Sequence, residues 1–362
     1  MNRSDHLKEI LKIALKGYDH RRDSWKTQNP FINTEYEFGY EFNSPYRIGI
    51  LFDLAHQHHF NIQACIEEEI SYQVIDITKD NWLEAIQQAN CHGLVGQPIA
   101  WNRVWKQLYE DRLYVIEEIL KFPIIPSFKE TWFYESKRRS CDWLKAHQLP
   151  HPQTYVFYDR SEAQEFLDQC TYPIVFKSDL GAGSKGVQVC RDQRTAIALM
   201  EQCFKGGFRT PNTDLRDKQW GYVLFQTYLE DASEWRLVRV GDSFFCRIKG
   251  KVGDYHSGSG KMSWGTPPPE LLNDFKKLTD DHQFHSMNID YFEDKHGNYY
   301  INELHTVFGE ILEKNIDQED PLMGRYLWNS TTSDWEFENG FFYRNACANM
   351  RIQHLIKLLS TP

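Results

Sequence analysis

YPIVFKSDLGAGSKGVQVC, residues 172–190, has the pattern of a strand, a glycine-rich turn and a second strand. The apolar run before Lys177 and the alternation after Gly186 both have strand character. Between them lie Gly181, Gly183 and Gly186. Glycine has no Cβ, so backbone N–H groups in such a turn can approach phosphate oxygens closely. Lys177 would stand beside the phosphates as a point charge, with Ser184 and Lys185 as further donors. The order differs from the P-loop, where G-K-[ST] opens a helix, and from the G-x-G-x-x-G dinucleotide turn. A plain hairpin with a surface lysine accounts for the same residues, and that alternative stays open at this point.

Two further stretches bear on it. NIDYFEDKHGNYYINELH (288–305) alternates on both sides of a Gly-Asn turn, a hairpin signal. Glu303 and His305 are two apart and share a face. The turn at 296–298 brings Asp290 alongside them. Neighbouring carboxylates buried among aromatics repel unless a cation lies between them. Oxygen ligands near a nucleotide suit Mg²⁺. An exposed acidic hairpin is the alternative. In VLFQTYLEDASEWRLVRVG (223–241) an apolar strand runs into Gln226, Tyr228 and Leu229, then Glu234 and Arg236. Such a link between sheet regions can hold an adenine by backbone hydrogen bonds, with a later carboxylate on the ribose. It reads equally as a strand and a loop.

Outward from these stretches, residues 46–126 alternate strands and helices. RIGILF (47–52), YQVIDI (72–77), GLVGQ (93–97) and PIIP (123–126) are the strands, with helices at 59–70, 82–89 and 104–120. That order predicts a parallel sheet with crossover helices, a small Rossmann-like unit without the dinucleotide fingerprint. A helix is expected over 135–147, stopped by Pro150 and Pro152. After Tyr172 the strands are of antiparallel type, with helices at 194–204 and 268–282 and a last helix at 344–359. Residues 1–45 look like an appendage, with Leu7, Ile10, Leu11, Ala14 and Leu15 at helical spacing.

The 362 residues suggest two or three domains. A net charge of −10 argues against a general nucleic-acid binder. No apolar run is long enough to span a membrane, and no secretory leader is visible. The eight cysteines lack C-x-x-C spacing, so a reducing cytoplasm is expected rather than a disulfide or zinc scaffold. Between Glu234 and Lys261, six Lys or Arg face three Asp or Glu, a local basic excess inside an acidic chain.

Together the three stretches resemble the ATP-grasp superfamily, over roughly residues 46–330. Lys137, in ESKRRSCDWLKAHQLPHP, matches the family's first ATP-phosphate lysine, and Lys177 matches the second. The segment from Gly181 through Gly183, Ser184 and Lys185 to Gly186 matches the loop that closes over the phosphates. Gln226, Tyr228 and Leu229 match the adenine hinge, and Glu234 the ribose carboxylate. Asp290 and Glu303 match the magnesium carboxylates, with the spacing seen in D-alanine–D-alanine ligases. His305 stands where the family usually has asparagine; imidazole is a poorer Mg²⁺ ligand. Asn288 stands where those ligases carry arginine, which points away from D-alanine ligation. Glu234–Lys261 is similar to the branch that extends ribosomal protein S6 with glutamate, and it makes Arg236, Arg247 and Lys249 candidates for the acyl phosphate and the substrate carboxylate.

The resemblance implies a mixed α/β and α+β chain with the ATP-grasp fold. Its parts would be a helical extension (1–45), a Rossmann-like pre-domain (46–126), an N-terminal lobe (127–222) and a C-terminal lobe with the last helix (223–362). It implies ATP and Mg²⁺, with Mn²⁺ as a substitute. The implied activity joins a small-molecule carboxylate (an amino acid, peptide or sugar acid) to an amine through an acyl phosphate. His256 is a candidate base, with a plain surface role as its alternative. An ATP-grasp phosphotransferase, a ligase with another acceptor and a non-catalytic binder are the competing readings. Neither nucleic acid nor membrane is an expected partner, and the oligomeric state, monomer or homodimer, is open.

Overall fold

A computed structural model describes residues 35–53, 57–96, 102–181, 184–211, 213–214, 216–254, 261–306, 308 and 320–360. The expected helix near Leu7–Leu15, together with Gly183 and His256, lies outside the described residues.

The first sheet holds β1 (Gly39–Tyr40), β2 (Arg47–Leu51), β3 (Ser71–Ile75), β4 (Gly93–Val95) and β5 (Ile124–Ile125) in the order β1-β3-β2-β4-β5. All neighbours are parallel except β1, which pairs antiparallel with β3. The crossovers are α1 (His58–Glu67), α2 (Trp82–Gln88) and α3 (Arg103–Tyr114). Asn102 caps α3, accepting from Trp105 N at 2.8 Å. Both faces of this sheet are covered, which is why its strands read as unbroken apolar runs. Leu51, Ile75 and Leu94 pack under α2 and α3. Ile48, Ile50 and Val95 pack under α1 and the last helix.

Two details depart from the expectation. Residues 39–40, placed in the appendage, form the edge strand of this sheet. The helix expected to run unbroken to Leu120 passes at Val115–Ile119 into a π-helical turn.

Next come α4 (Phe128–Thr131), α5 (Lys137–Ala146), β6 (Thr154–Phe157), α6 (Arg160–Gln169), β7 (Ile174–Lys177), β8 (Val187–Cys190), α7 (Gln193–Lys205) and β9 (Val223–Thr227). The four strands form an antiparallel sheet in the order β6-β9-β7-β8. Asp159 and Asp192 cap α6 and α7 by accepting a backbone N–H three residues on. Both helices bury their apolar sides on one face of the sheet, around Phe157, Phe176, Met200 and Phe225. The other face is left for the cleft.

The third sheet holds β10 (Ser233–Val240), β11 (Ser243–Lys249), β12 (Met262–Trp264), β13 (Ser286–Glu293), β14 (Tyr299–His305), β15 (Gly324–Asn329) and β16 (Asp334–Asn339). Its order is β14-β13-β10-β11-β15-β16, with β12 on β11. The β15–β16 hairpin was not anticipated. One face packs on α8 (Pro269–Asp281) through Leu237, Phe244, Ile289, Ile301, Leu271 and Phe275. A 3₁₀ turn at Arg344–Cys347 leads into α9 (Ala348–Ser360), which returns to cover the first sheet. No helix among the described residues is long and apolar enough to cross a membrane.

Candidate functional site

Strand periodicity sets what faces the cleft. On β7, Ile174 and Phe176 enter the helix-covered core, so Val175 and Lys177 face the other way. Val175 pairs with Val189, and Lys177 with Val187, on β8. On the third sheet the core takes Leu237, Cys246, Ile289 and Tyr291. Their alternates Glu234, Arg236, Arg247, Lys249, Asp290 and Phe292 share the opposite face. Residues 228–232 carry the chain from β9 to β10, from one sheet to the other. A cleft lies along this crossing, lined by Lys137, Lys177, Gly181, Ser184, Gln226, Tyr228, Leu229, Glu234, Asn302 and Glu303. Its apolar walls are Val175, Val187, Val189, Ala232 and Phe292, the kind of lining that small-molecule sites carry.

One end of the cleft is basic. Lys177 Nζ donates to Asn302 Oδ1 at 2.7 Å. Burial pulls the Lys177 ammonium down to about 8, although Glu303 works to raise it. Lys137 Nζ donates to the Gly181 carbonyl at 3.2 Å and lies 3.6 Å from Glu303 Oε1. Burial would lower Lys137 too, but Glu303, Glu135 and Asp179 outweigh it and the net shift is upward. For Glu303, burial pushes the carboxyl up, and Lys137 and His305 bring it below its ordinary value.

One buried carboxylate ties together the segments that carry the two lysines. Asp179, two residues after Lys177, accepts from Arg138 N at 2.9 Å, Arg138 Nε at 2.9 Å and Tyr222 Oη at 3.1 Å. It thus caps the first turn of α5, which carries Lys137, against the strand that carries Lys177. Glu135 Oε2 accepts from Gly181 N at 2.5 Å, tying the glycine turn to the same corner. Gly181 has φ +122°, and a Cβ there would come within 2.7 Å of Thr210 Cγ2. That position therefore requires glycine.

The hairpin of β13 and β14 places Asp290 opposite Glu303, as the spacing suggested, and it also sets Asn288 opposite His305. A bulge after this pair makes Asn302 an extra residue, since Tyr291 next pairs with Ile301. Ile301 and Leu304 both stay in the core. Asn302 and Glu303, neighbours in sequence, therefore both face the cleft.

Behind Glu234 lies a charged group of four. Arg236 grips Asp290 with Nε at 2.9 Å and Nη2 at 3.0 Å. Lys249 Nζ donates to Glu234 Oε1 at 2.6 Å and also to Asp290 Oδ2. Asn288 Nδ2 adds a bond to Asp290 Oδ1 at 3.2 Å and one to His305 Nε2 at 2.8 Å. Burial would raise Asp290, but Arg236 and Lys249 hold it far below the carboxylate range. Burial and Arg236 lower His305, keeping the ring neutral. Arg247 pairs with Arg236 across the ladder, and its guanidinium lies over the rings of Trp264 and Tyr343, 4.4 and 5.3 Å from their centroids.

Most of the residues singled out from sequence thus meet at one cleft. Lys185 is exposed and Gly186 buried, and neither lines it; Arg236, Arg247, Lys249, Asp290 and His305 lie on the same sheet face but outside its lining. Asn302, Phe292, Glu135 and Asp179 were not singled out. Period-two alternation from Asp290 would have found Phe292; nothing local marks the bulge.

The family profile described as phosphoribosylglycinamide synthetase, ATP-grasp (A) domain, matches residues 135–213, the segment carrying both lysines and the glycine turn. A phosphoribosylamine–glycine ligase from Clostridium acetobutylicum is 37% identical over 76 residues, 20% of this chain and 18% of that protein. This chain thus spans far less than two thirds of that relative's length. Among solved structures, the D-alanine–D-alanine ligase from Bacillus anthracis aligns over 87% of this chain and 98% of its own, with TM-score 0.54 and 14% identity. The chain has the ATP-grasp fold. An ATP-grasp RimK domain protein from Sphaerobacter thermophilus aligns over 71% of this chain and 90% of its own, with TM-score 0.50 and 15% identity. The ATP-grasp fold accounts for the two sheets and the cleft between them.

Among the described residues, no group of three or more His, Cys, Asp or Glu is arranged to hold a metal ion. Glu303 and Asn302 fit a hard cation arriving with a nucleotide. The Glu303 side chain is 34% exposed, and Lys137 Nζ stands at the long distance of 3.6 Å from it. Asp290 is fully buried and engaged by cations, and His305 Nε2 accepts from an amide.

Proposed function

We propose that this protein is an ATP-dependent ligase that joins a small-molecule carboxylate to an amine. The observation that carries the reading is the cleft between two sheets, with apolar walls, two lysines at one end and a row of charged side chains leading away. Tyr228 and Leu229, on the chain crossing, are placed to meet the adenine, and Glu234 faces the ribose. Lys137 and Lys177 take the phosphates, beside Gly181 and Ser184. The ligase in the ATP-complexed structure from Bacillus anthracis, with TM-score 0.54 to this chain, supports nucleotide binding in a cleft of this kind.

In the reaction, a carboxylate oxygen of the substrate attacks the γ-phosphorus, the bond to the β-bridging oxygen breaks and ADP leaves. The amine nitrogen then attacks the acyl carbon, phosphate departs and the nitrogen gives up a proton. The protein's share is orientation and charge. Arg236, Arg247 and Lys249 form the cationic side of the face next to Glu303, suited to the transferring group and to a substrate carboxylate. Mg²⁺, or Mn²⁺ in its place, would neutralise phosphate charge when bound by Glu303 and Asn302. The acceptor fits an amino acid, a peptide or a sugar acid.

Phosphate release measured over pools of amino acids and sugar acids tests this. ATP consumption should require both a carboxylate and an amine. ADP formation with a phosphorylated product and no need for an amine would replace the reading with a phosphotransferase.

The pH dependence follows from Lys177. Below pH 8 the free enzyme already carries the ammonium that phosphate needs. Above it, binding must first take up a proton, so ADP affinity should fall by up to about tenfold per pH unit from pH 8 upward. Calorimetry in buffers of different ionisation enthalpy should show proton uptake at pH 9 and much less at pH 7. Equal affinities at the two pH values would contradict this.

A further inference from the structure

We propose that Asp290 is an internal counter-ion that positions Arg236 and Lys249, and that Glu303 with Asn302 supplies the protein oxygens to the divalent cation. This departs from the resemblance, which pairs Asp290 with Glu303 as metal ligands, and it rests on the nucleotide-binding part of the ligase reading. A carboxylate offers about four acceptor positions. Those of Asp290 are all in use: Oδ1 takes Arg236 Nε at 2.9 Å and Asn288 Nδ2 at 3.2 Å, and Oδ2 takes Arg236 Nη2 at 3.0 Å and Lys249 Nζ. The residue is 0% exposed.

Charge points the same way. Asp290 and Glu234 are balanced by Arg236 and Lys249, a neutral group of four. A dication on Asp290 would have to displace one of those cations, leaving it buried without its partner, and would add charge to a balanced cluster. Glu303 is held less tightly, with Lys137 Nζ 3.6 Å from its Oε1 and its side chain 34% exposed. It lines the cleft, and so does Asn302 next to it at the bulge, whose Oδ1 accepts from Lys177 and keeps a second lone pair for a cation. What Asp290 does instead is geometric. Its two oxygens fix the plane of the Arg236 guanidinium and, with Glu234, the position of the Lys249 ammonium.

The test is ADP binding by calorimetry across a Mg²⁺ series. Glu303→Gln should raise the half-saturating Mg²⁺ concentration at least tenfold, and Asp290→Asn should leave it within about threefold of wild type. A shift in Asp290→Asn as large as in Glu303→Gln overturns the proposal. Because Asp290→Asn unbalances a buried cluster and can compromise folding, a second measurement uses the intact chain. The Arg236 Nε–H resonance, assigned by its loss in Arg236→Lys, should persist when the wild type is saturated with MgADP. Its loss on adding MgADP would show Asp290 leaving Arg236 for the metal, and the proposal falls. If ADP binds wild type no better with Mg²⁺ than with EDTA, the nucleotide–metal reading fails first, whatever the Asp290 variant does.

Discussion

Lys177→Met should weaken ADP binding at pH 7 by about 10- to 150-fold, the range expected for losing a hydrogen bond to a charged group. ATP turnover should fall by roughly 10³-fold, because the same ammonium also stabilises charge that develops on the phosphates. The fold should survive. Lys177 is only 8% exposed, and its ammonium, brought down to about 8, sits in the sheet at a cost of roughly 3 kcal/mol at neutral pH. The sign follows from linkage. Between pH 8 and the unfolded value near 10.5 the unfolded chain binds more protons, so this group makes stability rise with pH across that window. Methionine has no ammonium to bury, and Asn302 is exposed enough to turn to water. The melting temperature at pH 7 should therefore match or exceed wild type while binding collapses. Wild-type ADP affinity in the variant would remove Lys177 from the site.

Asp179→Ala should do the reverse, damaging the fold first. The substitution removes the acceptor shared by the Arg138 backbone N–H and Nε, at a cost of about 3–5 kcal/mol in urea unfolding. It should also weaken ADP binding, since the anchor between Lys137 and Lys177 is gone. For wild-type Asp179, burial pushes the carboxyl up and Arg138 outweighs it, so the net shift is downward. Its stabilisation is therefore complete above the ordinary aspartate value near 4 and fades as pH falls toward the lower folded value. The variant should lack that part of the acid limb of stability. Unchanged unfolding at pH 7 would show that Arg138 and α5 find other partners.

What could be read without coordinates was mostly local. The β–α alternation of 46–126 follows from apolar runs buried on two faces. Lys177 and the glycine turn stand out because one segment holds strand, turn and strand. Asp290 and Glu303 were paired by counting across a hairpin, and the register agrees. The rest depends on contacts distant in sequence. Asp179 is one aspartate among many until α5 is docked on it. Asn302 faces the cleft only because the bulge breaks the period of two, whereas alternation from Glu303 would turn it into the core. The saturation of Asp290 joins β10, β11 and β13, which no spacing rule connects. The β15–β16 hairpin escaped because GRYLWN and DWEFEN carry mixed residues, half-buried on β15 and mostly exposed on β16.

The return of α9 to the first sheet governs how this protein can be made. Tyr46 Oη and Ser360 Oγ lie 2.6 Å apart across 314 positions, and Ile352 and Leu355 seal the face formed by Ile48, Ile50 and Val95. During synthesis that apolar face stays open until residues 348–360 have left the ribosome. The first sheet, translated ahead of the two that follow it, is finished only after them, and a nascent chain halted before α9 would expose an aggregation-prone surface.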